Sequence, residues 1–247
     1  MKVYSYNIYY NDPHDLAAII ECFILDVYKT DKIKTGDYVI DAGAGIGEFA
    51  LIASSKVGST GKVLSIEPSL EDYQQLIYNL DANKINNVVP INMAISDRAE
   101  TLKLEFKEKS FTNNADTLEN IAKFKGITLD KVTFIKMDIE GAECKVLPTA
   151  MEKLTNLKTL SIEMHNGCHR KIMPLMQDHG FEFHRISKRE YLLNSVKAIM
   201  KSPFSTYKIY KEYKRSGEFT GFRKVAKGIE ISSSESLIVG TFSKLET

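Results

Sequence analysis

Apolar residues along this chain fall into short runs of four to seven, and the stretches between the runs carry apolar residues at three- to four-residue spacing. The first spaced stretch begins at Asp12-Pro13. Asp12 suits a helix cap and Pro13 the first turn, so a helix is predicted to run to about Thr30, with Leu16, Ile19, Ile20, Phe23 and Val27 on one face. Gly36 breaks the chain before a strand at Tyr38-Val39-Ile40, which ends at Asp41. A helix over 47–56 and a strand over 62–67 follow, then a helix capped by Ser69 with Glu71 and Asp72 in its first turn. Further strands are predicted at 88–93, 131–137, 157–164, 181–186 and 237–242. Residues 101–106 alternate, as an exposed strand or hairpin arm does.

Strand, helix, strand, helix is the pattern of an α/β fold: a Rossmann-like, seven-stranded, mostly parallel sheet with helices on both faces. The predicted organisation is an N-terminal helical segment (1–36), a ligand-binding catalytic domain (37–194), an insertion (195–234) and a final strand (235–247). Such sheets bind ligands at the carboxyl ends of their strands. Asp41, Glu67, Asp138, Glu163 and His165 all sit at those ends. Polar residues mark strand ends in any sheet, but the loops at the opposite ends carry no comparable set of acids.

Composition narrows the class. Hydrophobic residues make up 43% and charged residues 26% of 247, enough for a sizeable core in an ordinary globular chain. A formal net charge of +1 gives no whole-chain argument for nucleic acid or membrane. Three cysteines, Cys22, Cys144 and Cys168, suggest no disulfide framework and a reducing cytosol. The opening residues lack an apolar stretch behind a basic start, and no apolar run is long enough for stable membrane insertion; a cytoplasmic protein is expected. Nothing in the sequence speaks to oligomeric state.

The chemistry concentrates at Asp41-Ala42-Gly43-Ala44-Gly45-Ile46-Gly47. Glycines two apart let a backbone turn closely around a ligand as it passes from strand to helix, and Glu67 ends the next strand, where a carboxylate accepts both ribose hydroxyls. A dinucleotide site requires G-x-G-x-x-G, and its third glycine would fall at position 48, which is Glu48. A pyrophosphate at this helix start would be opposed by Glu48 and Asp41. S-adenosylmethionine has no phosphate and carries an ammonium and a sulfonium, which acids near the turn suit.

The segment V-I-D-A-G-A-G-I-G-E-F-A resembles motif I of class I S-adenosylmethionine-dependent methyltransferases, and I-E-P-S resembles their acidic segment after it. F-I-K-M-D-I-E-G-A-E, with I-N-M-A-I-S-D and S-I-E-M-H in the same order, resembles the FkbM-type family. The resemblance spans about 39–165. It implies that Asp41, Gly43, Ala44, Gly45 and Gly47 line the methionine part of the donor and that Glu67, with Pro68 and Ser69, holds the ribose. It further implies that Ala94, Ile95 and Asp97 lie near the adenine, and that Asp138 faces the methyl group. Members of the family are generally assigned O-methylation of sugar or natural-product hydroxyls, so a small-molecule or glycan acceptor is expected.

Methyl transfer is an in-line displacement in which much of the work is alignment, and a hydroxyl acceptor must also lose a proton. Asp138 and Glu140 follow one strand, Glu163 and His165 another, and His165 is the best base on intrinsic pKa. A divalent cation such as magnesium, held by Asp138, Glu163 and His165, is the lesser alternative. Cys168 and His169 near His165 lack the second pair that a zinc site needs. No N-P-P-Y-type segment follows the fourth strand, which argues against amino-group methylation of adenine or cytosine.

Over 195–228 nine basic residues face two acids, Glu212 and Glu218, interleaved with Phe204, Tyr207, Tyr210, Tyr213, Phe219 and Phe222. A solvated helix with aromatics on the core explains this pattern first. RNA or an anionic lipid surface is the sharper alternative. The rival functions are therefore an RNA methyltransferase and a non-catalytic S-adenosylmethionine-binding module.

Overall fold

The computed structural model describes residues 1–216 and 237–244. A two-stranded ribbon, Lys2–Val3 (β1) with Tyr6–Asn7 (β2), opens the chain. Helix Pro13–Ile20 (α1) starts as predicted. The Asp12 carboxylate accepts from the Asp15 backbone N–H, and the Asp15 carboxylate accepts from that of Asp12. It does not continue to Thr30: the backbone widens into a π-turn over Glu21–Leu25 and ends at Asp26, whose φ is 47°.

Tyr38–Ala42 (β3), Glu48–Val57 (α2), Lys62–Ile66 (β4), Leu70–Ala82 (α3) and Val88–Ile91 (β5) form the first alternating half. Ala94–Ile95 (β6), Glu100–Phe106 (β7) and Lys109–Asp116 (β8) follow. The second half is Leu118–Phe124 (α4), Val132–Met137 (β9), Glu143–Ala150 (α5), Thr159–His165 (β10), His169–Asp178 (α6) and Phe181–His184 (β11). Lys188–Lys201 (α7), Pro203–Arg215 (α8) and Leu237–Lys244 (β12) follow among the described residues.

Seven strands form one sheet in the order β11-β12-β10-β9-β3-β4-β5. β12 runs antiparallel to both its neighbours, and β10, β9, β3, β4 and β5 are mutually parallel. Side chains alternate across it. Ile40, Leu64 and Ile135 pack under α4, α5 and α6, whereas Val39, Val63 and Phe134 pack under α1, α2, α3 and α8. Both faces are covered, so the strands read as continuous apolar runs, and the carboxyl ends of β3, β4, β9 and β10 open on one edge.

The alternating stretch at 101–106 is an arm of a hairpin. Its partner β8 is polar (Lys109-Ser110-Phe111-Thr112-Asn113-Asn114) and has no apolar run to mark it. The hairpin tip is tied down: the Lys107 ammonium lies 3.0 Å from Asp12, 2.7 Å from Asp15 and 3.1 Å from Asp72. Burial opposes its charge, yet these three carboxylates hold Lys107 well above its ordinary pKa. Lys107→Met leaves two of the carboxylates buried and unpaired, at a cost of about 2–3 kcal/mol. We expect a correspondingly lower urea midpoint, with the hairpin amides exchanging faster than those of β3 and β9; uniform exchange would show that Lys107 does not latch this hairpin.

Two expectations from cysteine usage and segmentation change. Cys144, at the start of α5, is disulfide-bonded to Cys168, in the turn after β10, with Cα atoms 5.2 Å apart; Cys22 is buried and free. Twenty-four residues separate the pair in sequence, but β9 and β10 are neighbours, so the turns that follow them meet. The argument from unpaired cysteines to a reducing compartment therefore loses its basis. The boundary at 195 falls inside α7, and 217–234 of the basic insertion lie outside the described residues. Among the described residues no helix is long and apolar enough to cross a membrane.

Candidate active site

The glycine turn leaves β3 and enters α2. The Gly43 and Ala44 N–H groups both donate to the Ile66 carbonyl at 3.0 Å, which locks the turn onto β4. Gly43 has φ +77°, and a Cβ there would sit 1.8 Å from the Asp138 carbonyl oxygen. The residue is thus required by backbone approach to the end of β9 as well as by its dihedral. Gly45, at φ +51°, turns its N–H onto the Glu67 carboxylate at 2.8 Å. The other Glu67 oxygen accepts from Ser69 N–H, also at 2.8 Å. Asn92 donates to the Glu67 and Pro68 carbonyls and pins that loop from β5.

A cavity opens over these strand ends. Of the residues expected to bind ligand or react, Gly43, Gly45, Glu67, Pro68, Ala94, Ile95, Asp138 and Glu140 line it. Five others stand off its wall. Asp41 and Ala44 are fully buried behind the turn. Gly47 abuts Leu76, since a Cβ there would lie 2.5 Å from that side chain. Ser69 caps α3, and Asp97 accepts from Ser96 and faces Arg98. Glu163 and His165 stand directly behind the wall.

Several wall residues carried no sequence signal. The hairpin supplies Leu102, Leu104, Phe106 and Phe111, and the N-terminal segment supplies His14, Asp15, Ala18, Glu21 and Tyr28. The N-terminal helical segment (1–36) thus contributes to the cavity wall. Tyr28 donates to Glu163 at 2.8 Å and lies 3.5 Å from Asp138. Lys136, a charge inside the apolar strand β9 that the sequence-based site set does not include, is 2% exposed. Its ammonium lies 3.7 Å from Asp41, donates to the Gly43 carbonyl and sits 5.2 Å over the Tyr28 ring.

Electrostatically the cavity floor is an excess of buried acid. Burial pushes Asp41 up to about 6 against the pull of Lys136, and Glu48 up to about 8 against the same cation. Burial also takes Glu67 to about 8 in spite of its two backbone hydrogen bonds. Glu163 reaches about 8 through burial and the neighbouring Asp138 charge, opposed by Tyr28. Glu21 is raised by burial and then by Glu163. One oxygen each of Asp41, Glu48 and Asp138 is buried without a hydrogen-bond partner. Carboxyls raised in this way lack a counter-charge, and a cation that entered the cavity would favour their ionisation.

At the reacting end, His165 is held by a residue absent from the sequence-based set. Glu143 Oε1 lies 3.1 Å from His165 Nδ1 and also accepts from the Ile139 and Gly141 N–H groups. Its only signal was being the third acid of D-I-E-G-A-E. The other ring nitrogen, Nε2, points toward the cavity wall, 3.9 Å from Asp138 and 3.6 Å from Glu140. Burial lowers the imidazole pKa, but the Glu143 hydrogen bond and the charges of Asp138, Glu143 and Glu140 outweigh it and push the group up to about 9.

The metal set Asp138, Glu163 and His165 is not assembled, because Glu163 turns to Tyr28. Among the described residues Asp138, Glu143 and His165 form the group with donor atoms within 4.8 Å of one another. Within it Glu143 Oε1 is already engaged, by Nδ1 of His165 and by the Ile139 and Gly141 N–H groups. The arrangement is an imidazole hydrogen-bonded through Nδ1 to Glu143, with the Asp138 and Glu140 carboxylates near Nε2.

Residues 41–183 match the family model described as the methyltransferase FkbM domain. The chain is 24% identical over 147 residues to the hexuronic acid methyltransferase AglP of Haloferax volcanii, covering 56% of this chain and 59% of that one. It is 23% identical over 211 residues to methyltransferase sdnD of Sordaria araneosa, covering 67% and 81%. Among solved structures it resembles an rRNA methylase from Streptococcus thermophilus at a TM-score of 0.47 and 9% identity, covering 97% of this chain and 100% of that one.

Proposed function

Because this chain belongs to the FkbM methyltransferase family, we propose that it transfers a methyl group from S-adenosylmethionine to a hydroxyl of a small molecule or glycan. The carrying observation is the cavity that joins the glycine turn to buried carboxylates: it suits a sulfonium and an ammonium and disfavours a nucleotide diphosphate. Glu67 is positioned for the ribose diol, and Ala94 and Ile95 offer an apolar wall for the adenine. Gly43 and Gly45 leave room for the methionine part. Bound there, the donor supplies an electrophilic methyl group with a neutral thioether as leaving group.

The protein's own work is then alignment and proton removal. Asp138 and Glu140 face the cavity and orient the acceptor hydroxyl. Glu143 fixes Nδ1 of His165 as the protonated nitrogen, so that Nε2 is the nitrogen that takes the acceptor proton. The hexuronic acid specificity of the Haloferax volcanii relative supports a sugar-type acceptor. This Glu143–His165–Asp138 array favours turnover over a mere S-adenosylmethionine-binding role. No step requires a magnesium ion.

Calorimetry with S-adenosylmethionine, S-adenosylhomocysteine and NAD tests this reading. Ionised carboxylates favour the sulfonium, and Glu48, Glu67 and Glu163 ionise near pH 8. Affinity for S-adenosylmethionine should therefore rise from pH 6 to pH 8.5, with proton release. The uncharged sulfur of S-adenosylhomocysteine should gain less. Heat with NAD and none with the methyl donor would refute the site. Tritium transfer to a panel of sugars would identify the acceptor, and methylation of RNA alone would refute the hydroxyl of a small molecule or glycan.

A further inference from the structure

The polar–apolar arrangement of α7 is inverted for a helix on a protein core. Leu192, Val196, Ile199 and Met200 recur at helical spacing, and all four are exposed, Met200 at 78%. With 100° per residue they form one arc about 100° wide. The opposite side holds Ala198, the buried residue of α7, and Asn194, which donates to the Leu25 carbonyl. Helix α8 extends the surface with Phe204, exposed at 90%, and Tyr207, while Ile209 and Tyr213 fasten it to the core.

Charge surrounds this apolar face. α7 and α8 carry eight exposed basic residues against two acids, a surplus of six. Both acids are already engaged, Glu190 with Lys29 and Glu212 with Arg215. On α7, Lys188 and Lys197 flank the apolar arc on its two sides. We propose that the exposed face of α7 and α8 docks on a bilayer containing anionic phospholipid, with Leu192, Val196, Ile199, Met200 and Phe204 entering the acyl boundary and the lysines meeting the headgroups. A second copy of this chain would bring two cationic surfaces together. Single-stranded RNA is recognised by stacking on aromatic groups, whereas α7 presents leucine, valine, isoleucine and methionine. Neither helix is long and apolar enough to span a bilayer, so the protein lies on the surface.

Flotation of the full chain with vesicles decides this. On phosphatidylcholine–phosphatidylglycerol vesicles binding should be about tenfold or more tighter than on phosphatidylcholine alone, and should weaken with salt. The doubly substituted Leu192→Asp, Ile199→Asp chain should lose vesicle binding while keeping its circular dichroism and its S-adenosylmethionine affinity, because both side chains are exposed. Lys197→Gln with Lys211→Gln should weaken binding to the mixed vesicles alone. Absence of wild-type binding, or binding indifferent to the aspartates, overturns the proposal. So does a dimer in sedimentation that the same aspartates dissolve, or RNA binding that depends on Leu192 and Ile199. None of these readouts relies on methyl transfer.

Discussion

Lys136→Met should destabilise the protein by about 3–5 kcal/mol near pH 7.5, read as a lowered midpoint in urea. The side chain is almost wholly buried, and its partner Asp41 is fully so. Burial opposes the ammonium, yet Asp41, Asp138 and Glu48 hold it well above its ordinary value. Methionine fills a similar volume, so what is lost is the cation. The carboxylates that remain have neither solvent nor a counter-charge, and they respond by taking up protons. Acids whose folded pKa lies above the unfolded value cost nothing below the unfolded pKa, penalise the fold increasingly as pH rises from there to the folded pKa, and carry the full penalty above it. The cost of the substitution should therefore shrink toward pH 5, where Asp41 and Glu48 are neutral. Adding Asp41→Asn should recover part of the loss. A pH-independent deficit, or none, would show that Lys136 is not the counter-charge of this floor.

The largest effect on turnover is expected from His165→Ala: kcat down by about 10²–10⁴, with S-adenosylmethionine affinity unchanged. His165 stands behind the donor-binding wall, so the donor keeps its contacts while the acceptor loses its base. The pH profile carries the sharper test. A base must be neutral to act, and His165 is pushed up to about 9. In the wild type, kcat/KM should climb roughly tenfold per pH unit from neutrality and level off near pH 9. Glu143→Gln removes the hydrogen-bonded anion on Nδ1, so the levelling point should move toward neutral pH while Nε2 stays free. An unmoved profile would leave Glu143 a structural residue, and full activity of His165→Ala would remove His165 as the base.

These two residues mark the limit of what sequence reading reaches. In the sequence Lys136 is only part of the buried run F-I-K-M, and its partners Asp41, Gly43 and Tyr28 meet it from elsewhere in the fold. Glu143 was one acid among several in D-I-E-G-A-E. Nothing local distinguishes it from Glu140, which is three residues away and faces the cavity instead.

By itself the sequence determined the alternation of strands and helices, the capping of α1 by Asp12 and of α3 by Ser69, and the glycine turn with its following acid. These are local matters, fixed by side-chain period, by dihedral preference and by the reach of one residue to the next few. The tertiary structure alone decided that the N-terminal segment and the polar hairpin wall the cavity. It also decided that Cys144 meets Cys168, that Glu163 turns to Tyr28, and that Glu143 orients His165. Each depends on β9 and β10 lying side by side and on what packs over their ends. Strand order is set by burying both faces of the sheet at once, a condition on the whole chain that no short window of residues contains.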